Sequence, residues 1–392
     1  MKKIGYILLI ALLVRLCFIL FFPPRPTNWD DAGSWDSVGW NVRLGKGFLE
    51  NDGSPTQQRP PVYPIFLAIV YFLFGHSFLW VKISQAVLDT FTIFILYNTS
   101  KKYFDEKTSL LVSLVLALYP PLIVYNGVIG SEICFTFFLA LTLLVLTNTV
   151  CINSTKLYGI SGVILGITTL CRSTTIFYPI FFLIGLLIVK KNFFLKGLIV
   201  FLLFFVITLL PWTLRNYFTS GSFSPLAAGG GGLFWSGTQE ISDGKPVLEG
   251  AGYYYPELSK MPFHQQDIIQ IKMGLKSIYN APFVYFKITL KKFVRIVFQP
   301  VGQVLTEKKH PLLGKLLYLM HFILLIFTVI GVGMSKPLWQ DLMPIISIIV
   351  YIILMHTLLS SIPRYRLPVE PYIVLFAVYG FLSVIRNRKV LK

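Results

Sequence analysis

Long apolar runs alternate with short polar connections along the whole chain. The runs contain 15 to 25 mostly apolar residues and recur through all 392 residues. A bilayer offers no water to backbone groups, so these runs predict helices, because barrel strands would be shorter and would alternate. The pattern predicts an all-α polytopic membrane protein with about ten transmembrane helices. The predicted spans lie near residues 4–22, 78–100, 108–126, 133–151, 157–171, 175–190, 196–212, 312–333, 338–360 and 367–385.

Basic residues are concentrated in alternate connections between these spans. Positively charged connections face the cytoplasm, so we expect both termini there and the other connections outside the plasma (inner) membrane. The first span has a basic start but is longer than a signal core, and we expect it to stay uncleaved. The basic connections hold Lys2, Lys3, Lys101, Lys102, Lys107, Lys156, Lys190, Lys191, Lys196, Lys336, Arg386, Arg388, Lys389 and Lys392.

The expected external set contains two apolar stretches that we do not count as spans. Residues 60–74 are too short to cross, so they predict a helix in the outer leaflet. Residues 281–300 place Lys287, Lys291 and Arg295 at a spacing of four among apolar residues. This pattern predicts an amphipathic helix on the external membrane surface whose basic side faces lipid phosphates, or else a solvated charged face.

Composition supports the membrane class and limits the partners. The chain is 55% hydrophobic, and its +18 charge comes from 35 Lys and Arg against 17 Asp and Glu. Because most basic residues lie in the short connections, we interpret the charge as membrane orientation and expect no nucleic-acid partner. The four cysteines lack CxxC spacing, and no two of the five histidines lie four residues apart. These spacings indicate no metal framework and no zinc site. Because arginines can neutralise a leaving phosphate, a divalent metal is optional, and none is predicted.

Two ionisable residues fall inside apolar spans. Arg15 lies in the first predicted span and Asp89 in the second. An unpaired charge inside a membrane is costly and normally has a partner. The two helices run in opposite directions, which brings both residues to similar depths, so we predict a structural ion pair.

The first external loop opens with adjacent carboxylates, Asp30 and Asp31. Outside the membrane there is no nucleotide sugar, so group transfer there needs a donor carried by the membrane, such as a lipid-linked phosphate ester. That chemistry requires a general base and cations for the departing phosphate. Adjacent carboxylates raise one another's pKa, which suits a base. The cations are supplied by arginines at external helix ends, namely Arg59, Arg172, Arg215, Arg364 and Arg366.

Two further external features have open interpretations. Trp29, Trp35 and Trp40 flank the acidic pair and are interpreted first as membrane anchors and second as sugar-stacking residues. The glycine-rich stretch 227–238 is preceded by no strand and followed by no GKS or GKT, so it is not a nucleotide loop. It is either a flexible hinge or backbone that must approach a ligand closely.

An ordered series of motifs resembles the GT-C membrane glycosyltransferases. The series is NWDDAGSWDSVGWNVRLGKGFLE, SPTQQRPPVYPIFLAIVYFLFG, ALYPPLIVYNGVIGSE, GISGVILGITTLCRS, LLPWTLRNYFTSGSFSPL and IPRYRLPVEPYIVLFAVYG. It is most similar to the family 39-like group, which includes dolichyl-phosphate-mannose protein mannosyltransferases and the lipid A aminoarabinose transferase. The resemblance covers residues 1 to about 220 and the last 30 or so. It implies a GT-C-like module at 1–212 with its first external loop at 23–77, an external segment at 213–311, and C-terminal spans at 312–392.

The resemblance also implies roles for individual residues. The family's acidic pair is usually Asp-Glu, and its first acid is taken as the catalytic base. That position is Asp30 here, and Asp31 stands where Glu is usual. The RPP segment implies a donor-phosphate role for Arg59 and Tyr63. The resemblance implies contact with acceptor or sugar for Glu132, and proximity to the lipid phosphate or the cavity for Arg215, Asn216, Arg364, Tyr365 and Arg366. We predict that Arg172, Arg215, Arg364 and Arg366 bind the donor phosphate and that Asn216 and Tyr365, with Glu132, bind acceptor or sugar.

The function we expect is that of an inverting glycosyltransferase. It would move one sugar from a polyprenyl phosphate to a hydroxyl of a lipid, glycan or protein acceptor at the external, or periplasmic, face. Two alternatives stay open. A flippase for lipid-linked sugars would explain the arginines but gives no role to Asp30. A glycan polymerase with a pyrophosphate-linked donor would need more phosphate ligands.

Overall fold

The fold is a bundle of helices of unequal length. It is seen in a computed structural model that describes residues 2–21, 31–189, 195–221, 226–227, 229–247, 250–302 and 311–390. Among these residues there is no β-strand, and Leu49 and Pro55 form an isolated β-bridge. The predicted fold class, an all-α polytopic membrane protein, is confirmed.

The helices number seventeen in the described part of the chain. In chain order they are α1 (Lys2–Phe21), α2 (Asp31–Arg43), α3 (Val62–Phe74), α4 (Phe78–Tyr103), α5 (Glu106–Ala117), α6 (Pro120–Tyr125), α7 (Glu132–Ile152), α8 (Thr155–Cys171), α9 (Tyr178–Ile188), α10 (Leu195–Ser220), α11 (Gly230–Thr238), α12 (Pro256–Ser259), α13 (Phe263–Asn280), α14 (Pro282–Phe298), α15 (Pro311–Met334), α16 (Trp339–Leu358) and α17 (Glu370–Val390). Short 3-10 turns lie at Ser173–Thr175, Gly250–Tyr253, Lys336–Leu338 and Pro363–Val369.

Seven of the described helices are long and apolar enough to cross a membrane, namely α1, α4, α7, α10, α15, α16 and α17. The other three predicted spans consist of shorter helices. The span predicted at 108–126 is divided into α5 and α6, because Tyr119, the residue before Pro120, takes an extended conformation with ψ of 110°. The spans predicted at 157–171 and 175–190 are α8, of 17 residues, and α9, of 11 residues.

The short helix α8 is held by close packing against the long helix α10. A Cβ atom added at Gly162 would lie 2.3 Å from the carbonyl oxygen of Phe201, so only glycine permits this approach of the two backbones. Small residues allow the same close packing between helices in membranes generally, where apolar side chains gain little from leaving lipid. The sequence GISGVILG thus fixes one side of the bundle.

The predicted ion pair between Arg15 and Asp89 is confirmed. The Nε atom of Arg15 lies 2.7 Å from Oδ2 of Asp89, and both side chains are fully buried. The guanidinium also donates to the carbonyl oxygens of Ala11, Leu116 and Ala117. The pair therefore joins α1 to α4, and its guanidinium also binds carbonyls in the last turn of α5, just before the break that precedes α6.

The lysine-rich connections meet at one end of the bundle. Arg386 of α17 forms an ion pair with Asp105, between α4 and α5, at 2.7 Å. Lys102 of α4 donates to Asn148 of α7 at 2.8 Å. The opposite end carries the starts of α7 and α17, the ends of α8 and α10, and the helices α2, α3, α11, α13 and α14. We call it the site end, because Glu132, Arg172 and Arg364 meet there.

Candidate functional site

A buried carboxylate at the start of α7 holds two arginines side by side. Oε1 of Glu132 accepts hydrogen bonds from Nη1 of Arg172 and Nε of Arg364, both at 2.6 Å. The Glu132 side chain is 2% exposed, whereas those of Arg172 and Arg364 are 24% and 16% exposed. The shared carboxylate therefore fixes two guanidinium groups that still reach the surface of the site. Guanidinium groups held side by side have the chemistry to bind an anion.

Three separate elements bring these groups together. Arg172 directly follows α8, and Arg364 lies in the turn Pro363–Val369 that leads into α17. The ring of Tyr365 stacks on His356 of α16 at 4.4 Å between centroids, and Arg172 lies 5.7 Å from the Tyr365 ring centroid. These contacts join the starts of α7 and α17 to the ends of α8 and α16. Its arginines are held by residues distant in sequence.

Arg59 belongs to a second polar cluster, in the first loop. Its Nε donates to Oγ of Ser34 at 2.9 Å, and its guanidinium lies 4.6 Å from the ring centroid of Trp35. Glu50 accepts hydrogen bonds from Ser34 at 2.9 Å and from Thr56 at 2.5 Å. Glu50 therefore ties α2 to the turn that carries Arg59. Sequence reasoning missed Glu50, because an acid in the polar stretch GKGFLENDG gives no signal of burial or pairing.

Tyr63 lies between the two clusters. Its hydroxyl donates to Oε1 of Gln85 at 2.8 Å, and its ring meets Trp35 edge to face at 5.2 Å. Nε2 of Gln85 donates in turn to the carbonyl of Val128, in the turn before Glu132. Burial, reinforced by charges that include Glu132, raises the pKa of the Tyr63 hydroxyl well above its usual range. A continuous series of contacts therefore links the first loop to the arginine pair.

The acidic pair lies at the edge of the described structure. Asp30 is outside the described residues, as is Trp29, and the side chain of Asp31 is also outside them. The backbone of Asp31 begins α2, one helical turn before Ser34. The catalytic roles of Asp30 and Asp31 stay predictions.

Arg215 and Asn216 contact the protein's own backbone. The guanidinium of Arg215 donates to the carbonyls of Thr56 at 2.7 Å and Phe48 at 3.0 Å. Nδ2 of Asn216 donates to the carbonyl of Leu226 at 3.0 Å. These contacts fasten the first loop and the chain after α10 to the end of that helix. The predicted ligand roles of both residues stay predictions.

Arg366 is separated from the arginine pair by burial. Its side chain is 1% exposed and forms an ion pair with Glu370 at 2.6 Å. It also donates to carbonyls of Ile296, Val297 and Gln299 at the end of α14. These contacts anchor α14 to the bundle, and they turn the guanidinium away from the surface that Arg172 and Arg364 share.

Burial corrects the interpretations of two motifs at the site end. Trp35, interpreted as a membrane anchor, is 5% exposed because it packs between Arg59 and Tyr63. The glycine-rich stretch contains α11, whose backbone approaches the protein itself. Amides of Gly229 and Gly231 donate to Oδ1 of Asp267 at 3.1 and 2.7 Å.

The helix predicted at 281–300 is present as α14, and its basic residues are divided: Lys287 and Lys291 are exposed, whereas two others are buried. Lys292 is fully buried and donates to the carbonyls of Gly237, Leu358 and Leu359. Burial, with a contribution from Arg295, lowers the pKa of Lys292 to about 7. Arg295 is 6% exposed and pairs with Asp243 at 2.5 Å. The exposed side of α14 carries Lys287 and Lys291 among apolar residues.

No group of three or more His, Cys, Asp or Glu side chains that could hold a metal ion occurs among the described residues. The cations that the described site supplies are guanidinium groups.

Comparison with known proteins supports the class of protein predicted from the sequence. Residues 58–213 match the family described as dolichyl-phosphate-mannose-protein mannosyltransferase. No curated protein matches. Among solved structures, the chain is similar to the archaeal oligosaccharyltransferase AglB from Archaeoglobus fulgidus, in complex with an inhibitory peptide and a dolichol-phosphate, with a TM-score of 0.58 and 15% identity. The match covers 98% of this chain and 50% of AglB, so the chain spans about half the length of that relative.

A second similar structure is ArnT from Cupriavidus metallidurans, bound to undecaprenyl phosphate. Its TM-score is 0.47 at 12% identity, with 96% of this chain and 76% of ArnT covered. The family match and the fold shared with AglB confirm the predicted resemblance to GT-C membrane glycosyltransferases. The chain is thus an integral, multi-pass membrane protein with that fold.

Proposed function

We propose that the protein is an inverting glycosyltransferase that moves a single sugar from a polyprenyl-phosphate donor to an acceptor hydroxyl. The acceptor is a lipid, a glycan or a protein. The observation that carries the proposal is the pairing of Arg172 and Arg364 on the buried carboxylate of Glu132, at the end of a GT-C fold where the first loop also places Arg59.

The proposed reaction is a single displacement at the anomeric carbon of the sugar. The acceptor oxygen attacks that carbon and forms the new glycosidic bond, while the bond between the anomeric carbon and the phosphate oxygen breaks. Asp30, or Asp31 beside it, takes the acceptor proton, and the polyprenyl phosphate leaves with the bonding electrons. Attack opposite the leaving group inverts the anomeric configuration.

The arginines have the chemistry that this leaving group needs. Negative charge develops on the phosphate oxygen as the bond breaks, and preorganised guanidinium groups stabilise that charge without rearranging. Arg172 and Arg364 are preorganised because both are bound to one carboxylate oxygen at 2.6 Å. Arg59 is similarly held by Ser34 and Trp35. Arg366 is left out of the proposed site, since its contacts bury it elsewhere.

Glu132 has a different proposed role from the one expected from sequence. A carboxylate that is 2% exposed and already accepts two arginines is poorly placed to bind a sugar hydroxyl. We assign it the positioning of Arg172 and Arg364. Because it removes part of their positive charge, it also limits how tightly the phosphate product is held, which favours product release.

The proposed sidedness follows from charge. The lysine-rich end of the bundle, which includes Lys102 and Arg386, would lie in the cytoplasm with both termini. The site end would then face the outside, or the periplasm, where a lipid-linked sugar is the available activated donor.

The test measures glycan transfer with matched variants. Surface glycans of cells that express the wild type, Asp30→Asn, Arg364→Gln or Arg386→Gln are compared by mass spectrometry. We expect Asp30→Asn and Arg364→Gln to abolish the added sugar, whereas Arg386→Gln, an exposed arginine at the opposite end, should retain it. Normal membrane levels of each variant establish that loss of the sugar is not loss of the protein.

A flippase predicts a different result. It needs no proton acceptor, so Asp30→Asn would then leave the glycan unchanged while Arg364→Gln lowered it. Full transfer by Asp30→Asn would remove the enzyme proposal. Binding of undecaprenyl phosphate, followed by the thermal stability of the purified protein, should weaken in Arg364→Gln and be unchanged in Arg386→Gln.

A further inference from the structure

Two polar residues on one side of the membrane-crossing helix α4 are fully buried. Gln85 and Asp89 lie four residues, about one helical turn, apart. Asp89 is the partner of Arg15, whereas Gln85 has no part in that ion pair. A polar side chain inside a membrane-spanning helix is costly and commonly functional. The hydrogen bonds of Gln85 therefore indicate what the residue does.

Both residues bind Asn126, the first residue of the turn between α6 and α7. Oδ2 of Asp89 accepts a hydrogen bond from Nδ2 of Asn126 at 2.7 Å. Nε2 of Gln85 donates to the carbonyl oxygens of Asn126 at 3.3 Å and Val128 at 2.9 Å. We call residues 126–131 the α6–α7 turn. These hydrogen bonds fasten the turn to α4, and Gln85 supplies two of them.

The α6–α7 turn packs directly against the arginine pair. A Cβ atom added at Gly130 would lie 2.5 Å from Oε2 of Glu132 and 3.5 Å from Nη2 of Arg364. The other carboxylate oxygen of Glu132, Oε1, binds both Arg364 and Arg172. The backbone of the turn is therefore in contact with the carboxylate that holds the arginines. Because a packed interior transmits displacements, a shift of the turn moves that carboxylate.

Gln85 also binds the side of the site that carries the first loop. Its Oε1 accepts a hydrogen bond from the hydroxyl of Tyr63 at 2.8 Å. The ring of Tyr63 contacts Trp35, and Trp35 packs against the guanidinium of Arg59. A side-chain amide has both an acceptor and donors, and this one uses the acceptor for α3 and the donors for the α6–α7 turn. Gln85 thus has hydrogen bonds toward both polar clusters.

We propose that Gln85 is a positioning residue, which holds the α6–α7 turn, and with it Glu132 and its two arginines, in a fixed place relative to Tyr63 and the first loop. It acts from inside the membrane-spanning part of α4 and does not itself bind the phosphate. The inference rests on the proposed function for what the arginines bind, whereas the positioning follows from the contacts of Gln85 and Gly130.

The competing explanation is that Gln85 only stabilises the bundle. Its loss would then lower the amount of folded protein, but the arginines of the molecules that stay folded would be unchanged. The two explanations differ in what happens at Glu132, Arg172 and Arg364. The test therefore measures these side chains rather than stability.

The first measurement is the chemical reactivity of individual arginines. The folded protein, purified in detergent micelles, is treated with phenylglyoxal, which modifies guanidinium groups, and the modified peptides are quantified by mass spectrometry. Gln85→Met keeps the length of the side chain and removes its hydrogen bonds. We expect modification of Arg172 and Arg364 to rise several-fold, because a displaced Glu132 no longer holds them. Modification of Arg386, at the opposite end of the bundle, should be unchanged.

Two further variants complete this comparison. Thr92→Val removes a buried hydroxyl of α4 that binds the carbonyl of Leu88 in the same helix, so both arginines should react as in the wild type. Gly130→Ala leaves Gln85 in place but forces the turn and Glu132 apart, so it should reproduce the effect of Gln85→Met. Unchanged arginine reactivity in Gln85→Met would overturn the positioning role, and so would an equal rise in Thr92→Val.

The second measurement is the affinity for undecaprenyl phosphate, determined by titration of the purified protein. We expect Gln85→Met to weaken binding several-fold when Arg364 is present, and to weaken it no further in Arg364→Gln, because residues that act through one contact are not additive. A loss of the same size in both backgrounds would overturn the proposal. Equal binding by the wild type and Arg364→Gln would instead contradict the proposed function, and the arginine reactivities would still decide the role of Gln85.

Discussion

Removing one member of the buried ion pair should destabilise the bundle strongly. In Arg15→Ala, the fully buried carboxylate of Asp89 loses the guanidinium 2.7 Å away and keeps the amide of Asn126 at 2.7 Å. The other carboxylate oxygen, Oδ1, has no hydrogen-bond partner among the described residues. A buried charge left without its counter-ion costs about 3–5 kcal/mol, and we expect a loss of that size for Arg15→Ala and for Asp89→Ala.

The double variant should be milder than the sum of the single variants. Arg15→Ala/Asp89→Ala leaves no uncompensated charge, only the packing defect and the loss of the hydrogen bonds from the guanidinium to the carbonyls of Leu116 and Ala117. Residues in direct contact couple by about 0.5–3 kcal/mol, and full burial places this pair toward the upper end of that range.

The assay is equilibrium unfolding of the purified protein in mixed detergent micelles, with the four variants of the cycle measured side by side. The exposed pair of Arg386 and Asp105, whose side chains are 49% and 44% exposed, provides a matched control cycle. Exposed pairs contribute about 0.2–1 kcal/mol. Additivity of Arg15→Ala and Asp89→Ala within about 0.5 kcal/mol would refute the reasoning, since independent sites behave in that way.

Two further predictions concern the attachment of α11 and α14 to the bundle. Gly237→Ala should lower the free energy of unfolding by about 1–3 kcal/mol, because its Cβ would lie 1.8 Å from the carbonyl oxygen of Leu359. Thermal unfolding measures this loss, and the control Gly333→Ala, whose Cβ would meet nothing within 4 Å, should show none. The pKa of Lys292 is lowered to about 7 in the folded state, so the unfolded chain binds more protons above that pH. Stability should therefore rise from pH 7 toward the ordinary lysine pKa, and a flat profile in the wild type, or an unchanged slope in Lys292→Met, would contradict this.

The membrane-crossing elements were predictable because a single physical rule dominates them. Uninterrupted hydrocarbon-facing sequence must be helical, and an ionisable residue within it must be paired, so the Arg15–Asp89 contact could be predicted from two residues 74 positions apart. The rule does not predict where an apolar run is interrupted. The residues of α5 and α6 were predicted as one span because the apolar count hid the effect of Pro120 on Tyr119.

The site was less predictable, because its residues are positioned by partners that carry no sequence signal. The arginines could be proposed from their location at helix ends, but nothing in the sequence indicates that Glu132 binds Arg172 and Arg364 together. The same applies to Glu50, which holds Ser34 and Thr56 around Arg59.

In both polar clusters a carboxylate positions arginine side chains. Glu132 binds two guanidinium groups directly, whereas Glu50 acts on Arg59 through the hydroxyl of Ser34. Direct pairing offsets part of the positive charge of Arg172 and Arg364, whereas Glu50 positions Arg59 through a neutral hydroxyl. A phosphate that moves from donor to product needs both properties, a fixed geometry and an affinity that is not too high. Under the proposed function, Glu132 gives Arg172 and Arg364 both properties, whereas Glu50 gives Arg59 a fixed geometry.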